Sequence, residues 1–273
     1  MSHLIAYPGL AGSFSYGAAR HQFPDDEVRG YETFEEAARA VADGECTYGL
    51  LPIENSSAGA VLTTYAILEK MQLHIVGEAL EPVRHQLVGL PKAELSRIRS
   101  ITSHPQAIAQ CDEFLSTLKG VQLIPGVNTA ICARQLLEDA DETRAAIASR
   151  EAAEFFGLKI LKEDIHTSKV NTTRFFILSK DPQPLYSPNK ATVVFRVNNV
   201  VGALVQVLIS FAISGLNMTR IESRPVKDEP FLYFFSADFE GEMDMNHLDR
   251  AMDSARPFTS DLRLLGTYRK AQT

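Results

Sequence analysis

Short apolar runs alternate with helical segments over roughly the first 175 residues, and this alternation constrains the fold more than any other feature. Apolar runs at Leu4–Tyr7, Tyr48–Ile53 and Ala145–Ala148 predict buried strands. Helices are predicted from Ser13 to about Gln22 and from about Ala60 to Met71. Strands that alternate with helices of this length indicate parallel α/β sheets, and this length of chain accommodates two lobes with a cleft between them.

Capping residues mark where further helices of this region begin. A helix that starts at Pro105 is expected to continue to about Leu118. A later helix, from Arg150 to Phe156, is expected to end at Gly157. The residues predicted to cap or start these helices are Thr33 with Glu36 as a capping box, Pro105, Asn128 and Ser149.

The pattern changes after a polar segment from Ser179 to Lys190, in which three prolines indicate a linker. The order of the elements that follow is strand, helix, strand, strand, helix, strand, which is the ferredoxin-like unit. Such a unit is more often a ligand sensor than a catalyst. Its predicted elements are Thr192–Val197, Gly202–Ser214, Leu216–Ile221, Phe231–Phe239, Met245–Ala255 and Leu262–Gly266.

Composition and charge exclude several classes of protein. The formal net charge is −7, and no run of Lys and Arg reaches four residues, so nucleic acid is not an expected partner. The N-terminus has no basic region followed by a long apolar stretch, and no segment is apolar enough to span a membrane. Three scattered cysteines are expected to be buried in a reducing compartment, and we expect a cytoplasmic protein.

Small hydroxyl and amide residues recur where a strand gives way to a helix. In α/β sheets these junctions lie where ligands bind, and free N–H groups at helix starts accept anions. Each junction alone is explained by helix capping. Two junctions exceed what capping needs: Pro52–Ser56, and Ser103–Gln106 with Gln110 one turn further on. The sequence therefore predicts a neutral site for a small anion, which could serve an enzyme or a binding protein.

Other kinds of site have little support in the sequence. The seven histidines show no metal-ligand spacing, and no glycine-rich nucleotide loop is present, so we expect no metal and no cofactor. A catalytic triad built on His85 or His104 would lack a nucleophile elbow.

Motifs along the chain resemble those of the prephenate dehydratase family with a C-terminal ACT domain. The motifs occur in the same order and at the same spacing as in that family. The sequence differs from the usual family pattern at Leu10, Ala11, Thr167 and Val201. The matching motifs are Gly9-x-x-Gly12-Ser13-Phe14-Ser15, Pro52-Ile53-Glu54-Asn55-Ser56, Ser103-His104-Pro105-Gln106 with Gln110-Cys111, Thr173-Arg174-Phe175, Gly202-Ala203-Leu204 and Glu222-Ser223-Arg224-Pro225.

The resemblance implies a bilobal, periplasmic-binding-protein-like α/β catalytic domain over residues 1–180 and a ferredoxin-like ACT domain over residues 190–270. It implies a cofactor-free enzyme that converts prephenate to phenylpyruvate in phenylalanine biosynthesis. No chorismate mutase segment precedes Leu4, so a monofunctional enzyme is expected. Arogenate dehydratase and a non-catalytic amino-acid sensor remain the alternatives.

The resemblance also implies roles for individual residues. Thr173 is expected to hydrogen-bond the leaving hydroxyl and Arg174 to pair with a substrate carboxylate, whereas Glu54 is expected to be a structural anchor. The expected catalytic residues are Thr173, Arg174, Asn55, Ser103 and Gln110, and the expected substrate-binding residues are Ser13, Ser56, Thr129 and Phe175.

The ACT resemblance implies a binding site for the effector L-phenylalanine at a subunit interface, and hence a homodimer or homotetramer. A helix that begins after Gly202 offers free N–H groups to an amino-acid carboxylate. The expected effector-binding residues are Gly202, Ala203, Leu204, Glu222, Ser223, Arg224 and Pro225.

Overall fold

The computed structural model describes residues 3–168, 170–225, 233–243 and 245–272. The chain divides into two units, of which the first is Met1–Lys70 with Ala79–Phe175 and the second is Met71–Glu78 with Phe176–Thr273. None of the helices in these described ranges is both long enough and apolar enough to cross a membrane.

The strands are, in chain order, β1 (Leu4–Pro8), β2 (Glu27–Tyr31), β3 (Tyr48–Asn55), β4 (Gly59–Ala60), β5 (His74–Pro82), β6 (Gln86–Gly89), β7 (Ser100–Ser103), β8 (Gln122–Pro125), β9 (Arg144–Ala148), β10 (Lys159–Lys162), β11 (Thr172–Ser179), β12 (Lys190–Val197), β13 (Asn217–Pro225), β14 (Tyr233–Glu240) and β15 (Thr259–Tyr268). The helices are α1 (Phe14–Gln22), α2 (Phe34–Ala42), α3 (Leu62–Lys70), α4 (Pro105–Ala109), α5 (Asp112–Ser116), α6 (Thr129–Asp139), α7 (Arg150–Phe156), α8 (Ala203–Ile213) and α9 (Met245–Ala255).

The first sheet has the order β2-β1-β3-β11-β5, and the short strand β4 pairs with β3. Strand β1 is parallel to both of its neighbours, as the alternation of strands and helices predicts. The centre of β3 is apolar because it is covered on both faces, and Leu50, Leu51 and Ile53 are fully buried. The polar end of β3, at Glu54 and Asn55, emerges from this core.

The second sheet has the order β10-β6-β9-β7-β8 and is mixed, so the expectation of parallel sheets is wrong for one strand. Strand β7 is parallel to β8 and β9, but β6 is antiparallel to β9 and β10. A parallel connection needs a long crossover, usually a helix. The link from β6 to β7 contains only the short 3₁₀ turn Leu95–Arg97, so β6 runs in the opposite direction.

The predicted helix from Pro105 to Leu118 is in fact two short helices, α4 and α5, which are separated at Gln110 and Cys111. In a continuous helix the Gln110 carbonyl would accept a hydrogen bond from the residue four positions later. Here it accepts from the Thr167 amide instead, at 2.8 Å. This tertiary contact ends α4 at the residue that the sequence marks as a candidate site residue.

The second unit contains an antiparallel sheet in the order β13-β14-β12-β15, with α8 and α9 packed against each other. This confirms the predicted ferredoxin-like unit. Phe231 and Leu232 of the predicted third strand lie outside the described residues. The core of the unit is apolar, and it includes the fully buried aromatic residues Phe195, Phe211 and Phe239.

Candidate active site

A cavity of about 330 Å³ lies in the first unit, and its walls come from segments that end or follow strands of both sheets. It is the place where the turn after β3, the start of β11, the segment after β5 and the first turns of α4 and α6 come together. The lining residues are Phe14, Asn55, Ala58, Gly59, Ala60, Val61, Val83, His85, His104, Gln106, Ala107, Gln110, Asn128, Thr129, Asn171 and Thr173. Within the described part of the chain, this lining contains neither carboxylates nor Lys or Arg side chains.

Asn55 connects two walls of the cavity through four hydrogen bonds. Its Oδ1 accepts from the amides of Ser57 and Ala58, both at 2.9 Å, which shapes the turn between β3 and β4. Its Nδ2 donates to Asn171 Oδ1 at 2.9 Å and to Thr173 Oγ1 at 3.0 Å. An amide side chain has two donor hydrogens and two acceptor lone pairs on its oxygen, so Asn55 uses its full capacity. It therefore holds Thr173 and Asn171 in place and has no hydrogen left for a ligand.

Thr173 lines the cavity and carries a hydroxyl group. Oγ1 accepts from Asn55 with one of its two lone pairs, and its hydrogen remains available to donate. No residue in the described ranges accepts that hydrogen. The sequence predicts Thr173 as a site residue, and Thr173 lines the cavity.

Arg174 and Phe175, the next two residues of β11, do not line the cavity. Successive side chains of a strand point to opposite faces, and Arg174 lies near Glu54 of the neighbouring strand, with Nη1 3.7 Å from Oε2. Its side chain is 12% exposed. Phe175 is 1% exposed and belongs to the core.

Gln110 and His85 meet at another wall of the cavity. His85 Nε2 is 2.8 Å from Gln110 Oε1, and the Phe14 ring packs edge-on against the His85 ring with centroids 5.5 Å apart. Burial lowers the pKa of His85, and the nearby His166 lowers it further, although the Gln110 contact opposes both. His85 is therefore a neutral imidazole at physiological pH.

The first turns of α4 and α6 supply further donors to the cavity. His104 caps α4, and its Nδ1 accepts from the Gln106 amide at 3.2 Å. Asn128 caps α6 by accepting from the Ile131 amide at 2.7 Å, as predicted. Thr129 is the first residue of α6, where free amides and the helix dipole favour an anion.

Three serines predicted as site residues do not line the cavity. Ser103 is fully buried and donates to the Ile147 carbonyl at 2.8 Å. Ser13 caps α1 by accepting from the Tyr16 amide, and Ser56 accepts from the Thr172 amide at 3.0 Å. Ser56 thereby ties the turn after β3 to the start of β11, next to Thr173.

Several lining residues were not predicted to bind substrate, namely Phe14, His85, Gln106, Asn128 and Asn171. Asn171 stands 116 positions after Asn55, and only the folded chain brings their side chains together. The usable signal in the sequence was proximity to predicted site residues, since Asn171 precedes Thr173 by two positions and Asn128 precedes Thr129.

A group of metal-ligand side chains also lies in this unit, outside the lining of the cavity. Ligand atoms of His21, Glu81 and Glu151 lie within 4.8 Å of one another. His21 Nδ1 is 3.0 Å from Glu81 Oε2, and this contact raises the pKa of His21. Burial outweighs the same contact at Glu81 and raises its pKa as well. Sequence spacing could not reveal the group, because His21 and Glu81 are 60 positions apart.

The second unit has a cavity of about 310 Å³ at the start of α8. Gly202, Ala203 and Leu204 line it, as do Tyr233 and Phe235 of β14. The other predicted effector-binding residues, Glu222, Ser223, Arg224 and Pro225, are on β13 and do not line it.

The first cavity is thus lined by neutral polar groups and helix starts, an arrangement that suits a small anion. Residues 5–183 match the prephenate dehydratase family, and the chain belongs to that family. It is accordingly an enzyme of the hydro-lyase class.

Two curated relatives are similar over almost the whole chain. The "Arogenate dehydratase/prephenate dehydratase 1, chloroplastic" of Arabidopsis thaliana is 36% identical over 280 residues, which cover 97% of this chain and 71% of that protein. The "Bifunctional N-acyl-homoserine lactone acylase/prephenate dehydratase" of Komagataeibacter europaeus is 36% identical over 268 residues, which cover 97% of this chain and 95% of that protein.

A solved structure is also similar over both units. The crystal structure of the prephenate dehydratase of Arthrobacter aurescens in complex with L-Phe has a TM-score of 0.88 and 32% sequence identity. The match covers 98% of this chain and 90% of that one.

Proposed function

We propose that this chain converts prephenate to phenylpyruvate at the cavity of the first unit, and that Thr173 assists the departure of the ring hydroxyl. The observation that supports this role is that Thr173 lines the cavity while its Oγ1 is held by Asn55 Nδ2, which leaves the hydroxyl hydrogen available to the substrate. In the reaction the bond from the ring to its carboxylate breaks, its electrons enter the ring, and the C–O bond to the hydroxyl breaks. The products are phenylpyruvate, carbon dioxide and, with one proton from solvent, water.

This chemistry suits a cavity of neutral donors. Formation of an aromatic ring drives the reaction, so the enzyme needs to hold the substrate and stabilise the negative charge that develops on the departing oxygen. A threonine hydroxyl is too weak an acid to protonate this oxygen by itself, and it acts as an oriented hydrogen-bond donor. The first turn of α6 at Thr129 and the amide of Gln110 supply donors for a substrate carboxylate.

The remaining predicted residues receive supporting roles in this proposal. Asn55 positions Thr173, because all of its hydrogen-bonding capacity is used within the protein. Arg174, beside Glu54, holds the neighbouring ends of β3 and β11 together from the face away from the cavity. Ser103 links β7 to β9 beneath the start of α4.

Prephenate is favoured over arogenate by the charge of the cavity lining. Arogenate carries an ammonium group where prephenate carries a keto oxygen, and an ammonium group in a cavity needs a carboxylate or several acceptors. Among the described lining residues there is no carboxylate. The Arabidopsis thaliana relative carries both names, so both substrates belong in the first experiment.

That experiment measures aromatic product from prephenate and from arogenate at neutral pH, against a blank without enzyme. Product formation from prephenate at a much higher kcat/KM is the expected result. Product from arogenate alone would keep the mechanism and refute the substrate. Absence of product from both would refute the proposal and leave an amino-acid sensor. An N-acyl-homoserine lactone is included as a third substrate because one relative is described as an acylase.

L-Phenylalanine is the proposed effector, and its proposed site is the cavity at the start of α8. Gly202 precedes the helix with φ of 80° and provides no side-chain cap, so amides of the first turn are available to an amino-acid carboxylate. The similar Arthrobacter aurescens structure is a complex with L-Phe. If phenylalanine binds the less active state of the enzyme more tightly than the active state, its binding shifts the enzyme towards the less active state.

We propose that the enzyme is a homodimer or homotetramer and that β13 of a second copy completes this site. An exposed apolar stripe on and before α8 supports an interface between copies, and it consists of Val201, Val205, Ile209 and Ile213. Sedimentation of the wild-type chain and of Ile209→Lys tests this proposal. A monomeric wild type would refute it, and a smaller assembly of the variant is expected. The cytoplasmic location stays a prediction from the sequence.

A further inference from the structure

We propose that His85 is a positioning residue for Gln110: its Nε2–H donates to the carboxamide oxygen and so turns the Gln110 NH₂ group towards the substrate. This inference rests on the proposed function of the cavity. It concerns the orientation of an amide whose two ends differ in chemistry, since the oxygen repels an anion and the nitrogen donates to it.

The structure holds the His85 ring on several sides. Nε2 lies 2.8 Å from Gln110 Oε1, and the Phe14 ring packs edge-on against the imidazole. The carbonyl of His85 accepts from the Ile165 amide at 2.9 Å, which fixes the backbone. His85 is only 2% exposed. The ring therefore has little freedom to turn away from Gln110.

Burial also determines which ring nitrogen carries the hydrogen. Nδ1 of His85 is buried without a hydrogen-bond partner among the described residues. With the hydrogen on Nδ1, a buried N–H would have no acceptor, and buried N–H groups without a partner are rarer than buried acceptors without one. With the hydrogen on Nε2, the N–H bonds to Gln110 and only a lone pair remains unpaired. The second tautomer is therefore the stable one.

This tautomer determines the orientation of Gln110. A donor at Nε2 requires an acceptor opposite, so the carboxamide oxygen faces His85 and the NH₂ group faces away from it. The Gln110 backbone is held at both its amide and its carbonyl, by Gln106 at 2.9 Å and Thr167 at 2.8 Å. Because Gln110 lines the cavity, its two amide hydrogens are presented to a bound carboxylate or to the departing hydroxyl.

Two variants of His85 separate positioning from simple packing. In His85→Gln the new amide nitrogen occupies the place of Nε2 and can still donate to Gln110, whereas in His85→Asn it occupies the place of Nδ1 and cannot. Both variants insert a polar amide of similar size at the same buried position. We expect His85→Asn to lower kcat by about 10- to 100-fold, in the range for loss of an outer partner of a site residue. His85→Gln is expected to retain most of the wild-type kcat.

A double-mutant cycle tests whether His85 acts through Gln110. In the Gln110→Ala background, His85→Asn is expected to cause no further loss of kcat, because the group that it positions is already absent. An equal loss in both backgrounds would overturn the proposal and assign His85 a packing role. Equal activity of His85→Gln and His85→Asn would overturn it too.

The tautomer is measured without any assay of activity. Two-dimensional ¹H–¹⁵N spectra of the imidazole in the free wild-type protein are expected to show the hydrogen of His85 on Nε2 at neutral pH. A hydrogen on Nδ1 would overturn the inference even in an inactive protein. If wild-type enzyme forms no product while the Nε2–H tautomer is present, the proposed function fails and the orientation of Gln110 stands.

Discussion

Replacing Thr173 by valine tests the central contact of the proposed mechanism. Valine has nearly the same shape as threonine and favours a strand equally well, so β11 is expected to form unchanged. The substitution removes the hydroxyl that accepts from Asn55 Nδ2 at 3.0 Å and faces the cavity. Only one oriented donor and one internal hydrogen bond are lost.

The two losses have different expected sizes. Removal of one oriented donor that stabilises charge developing in the transition state lowers kcat by about 100- to 1000-fold, or about 3–4 kcal/mol. Loss of the hydrogen bond leaves one Asn55 N–H without its acceptor and lowers the free energy of unfolding by about 1 kcal/mol. Activity should therefore fall much further than stability can explain.

The assay is the steady-state formation of phenylpyruvate from prephenate, with kcat and KM measured separately. Because the donor acts on the leaving oxygen in the transition state, kcat is expected to fall while KM changes little. Thr173→Ser is the matched control: it keeps the hydroxyl and is expected to retain much of the activity. A Thr173→Val enzyme with more than about one third of the wild-type kcat would refute this role of the hydroxyl.

Three further predictions concern other parts of the chain. Contact with Glu81 raises the pKa of His21. The contribution of charged His21 to stability is therefore fully present below about pH 6.5 and is lost as the pH rises through this raised pKa. The difference in Tm between wild type and His21→Gln should be larger at about pH 6 than at about pH 9. Lys190→Met leaves the buried Glu78 carboxylate without the ammonium 3.2 Å away and should lower the free energy of unfolding by about 3 kcal/mol, measured by urea denaturation. Gly202→Val places a β-branched residue at φ of 80° and should reduce the rise in Tm that phenylalanine produces in the wild type.

Each of these has its own control and contradicting outcome. If the difference in Tm between wild type and His21→Gln does not change with pH, the charge of the imidazole does not contribute to stability. Added salt serves as the control and should reduce a charge-dependent difference in Tm, because His21 is largely exposed. Restoration of stability in the double variant Glu78→Gln with Lys190→Met would support the buried pair, whereas equal unfolding midpoints of wild type and Lys190→Met would contradict it. An unchanged phenylalanine response in Gly202→Val would exclude this helix start as the effector site.

Local sequence patterns predicted most elements of the fold. The caps at Thr33, Asn128 and Ser149 are confirmed, because a capping hydrogen bond joins residues only three positions apart. The ferredoxin-like unit is confirmed for the same reason, since its elements follow one another with short connections. The predicted helix after Pro105 was wrong because the Thr167 amide, 57 positions after Gln110, ends it.

The residues of the candidate site were likewise predicted only in part. A motif such as Thr173-Arg174-Phe175 identifies a segment of strand, but the pleat of that strand directs Thr173 to the cavity and Arg174 to the opposite face. Position in the strand also decides that Phe175 is in the core. The sequence marked the right segment and could not tell which of its side chains reach the cavity.

The sequence by itself therefore determined the order of the elements, the division into a bilobal α/β region and a ferredoxin-like unit, and the neutral, polar character of the site. These follow from periodicity, caps and composition, which act over a few residues. Only the tertiary structure decided that Asn55 holds Thr173 from 118 positions away and that His85 faces Gln110 from 25 positions away. The physical reason is that the direction of a hydrogen bond depends on which atoms meet across the cavity, and no spacing along the chain encodes that meeting.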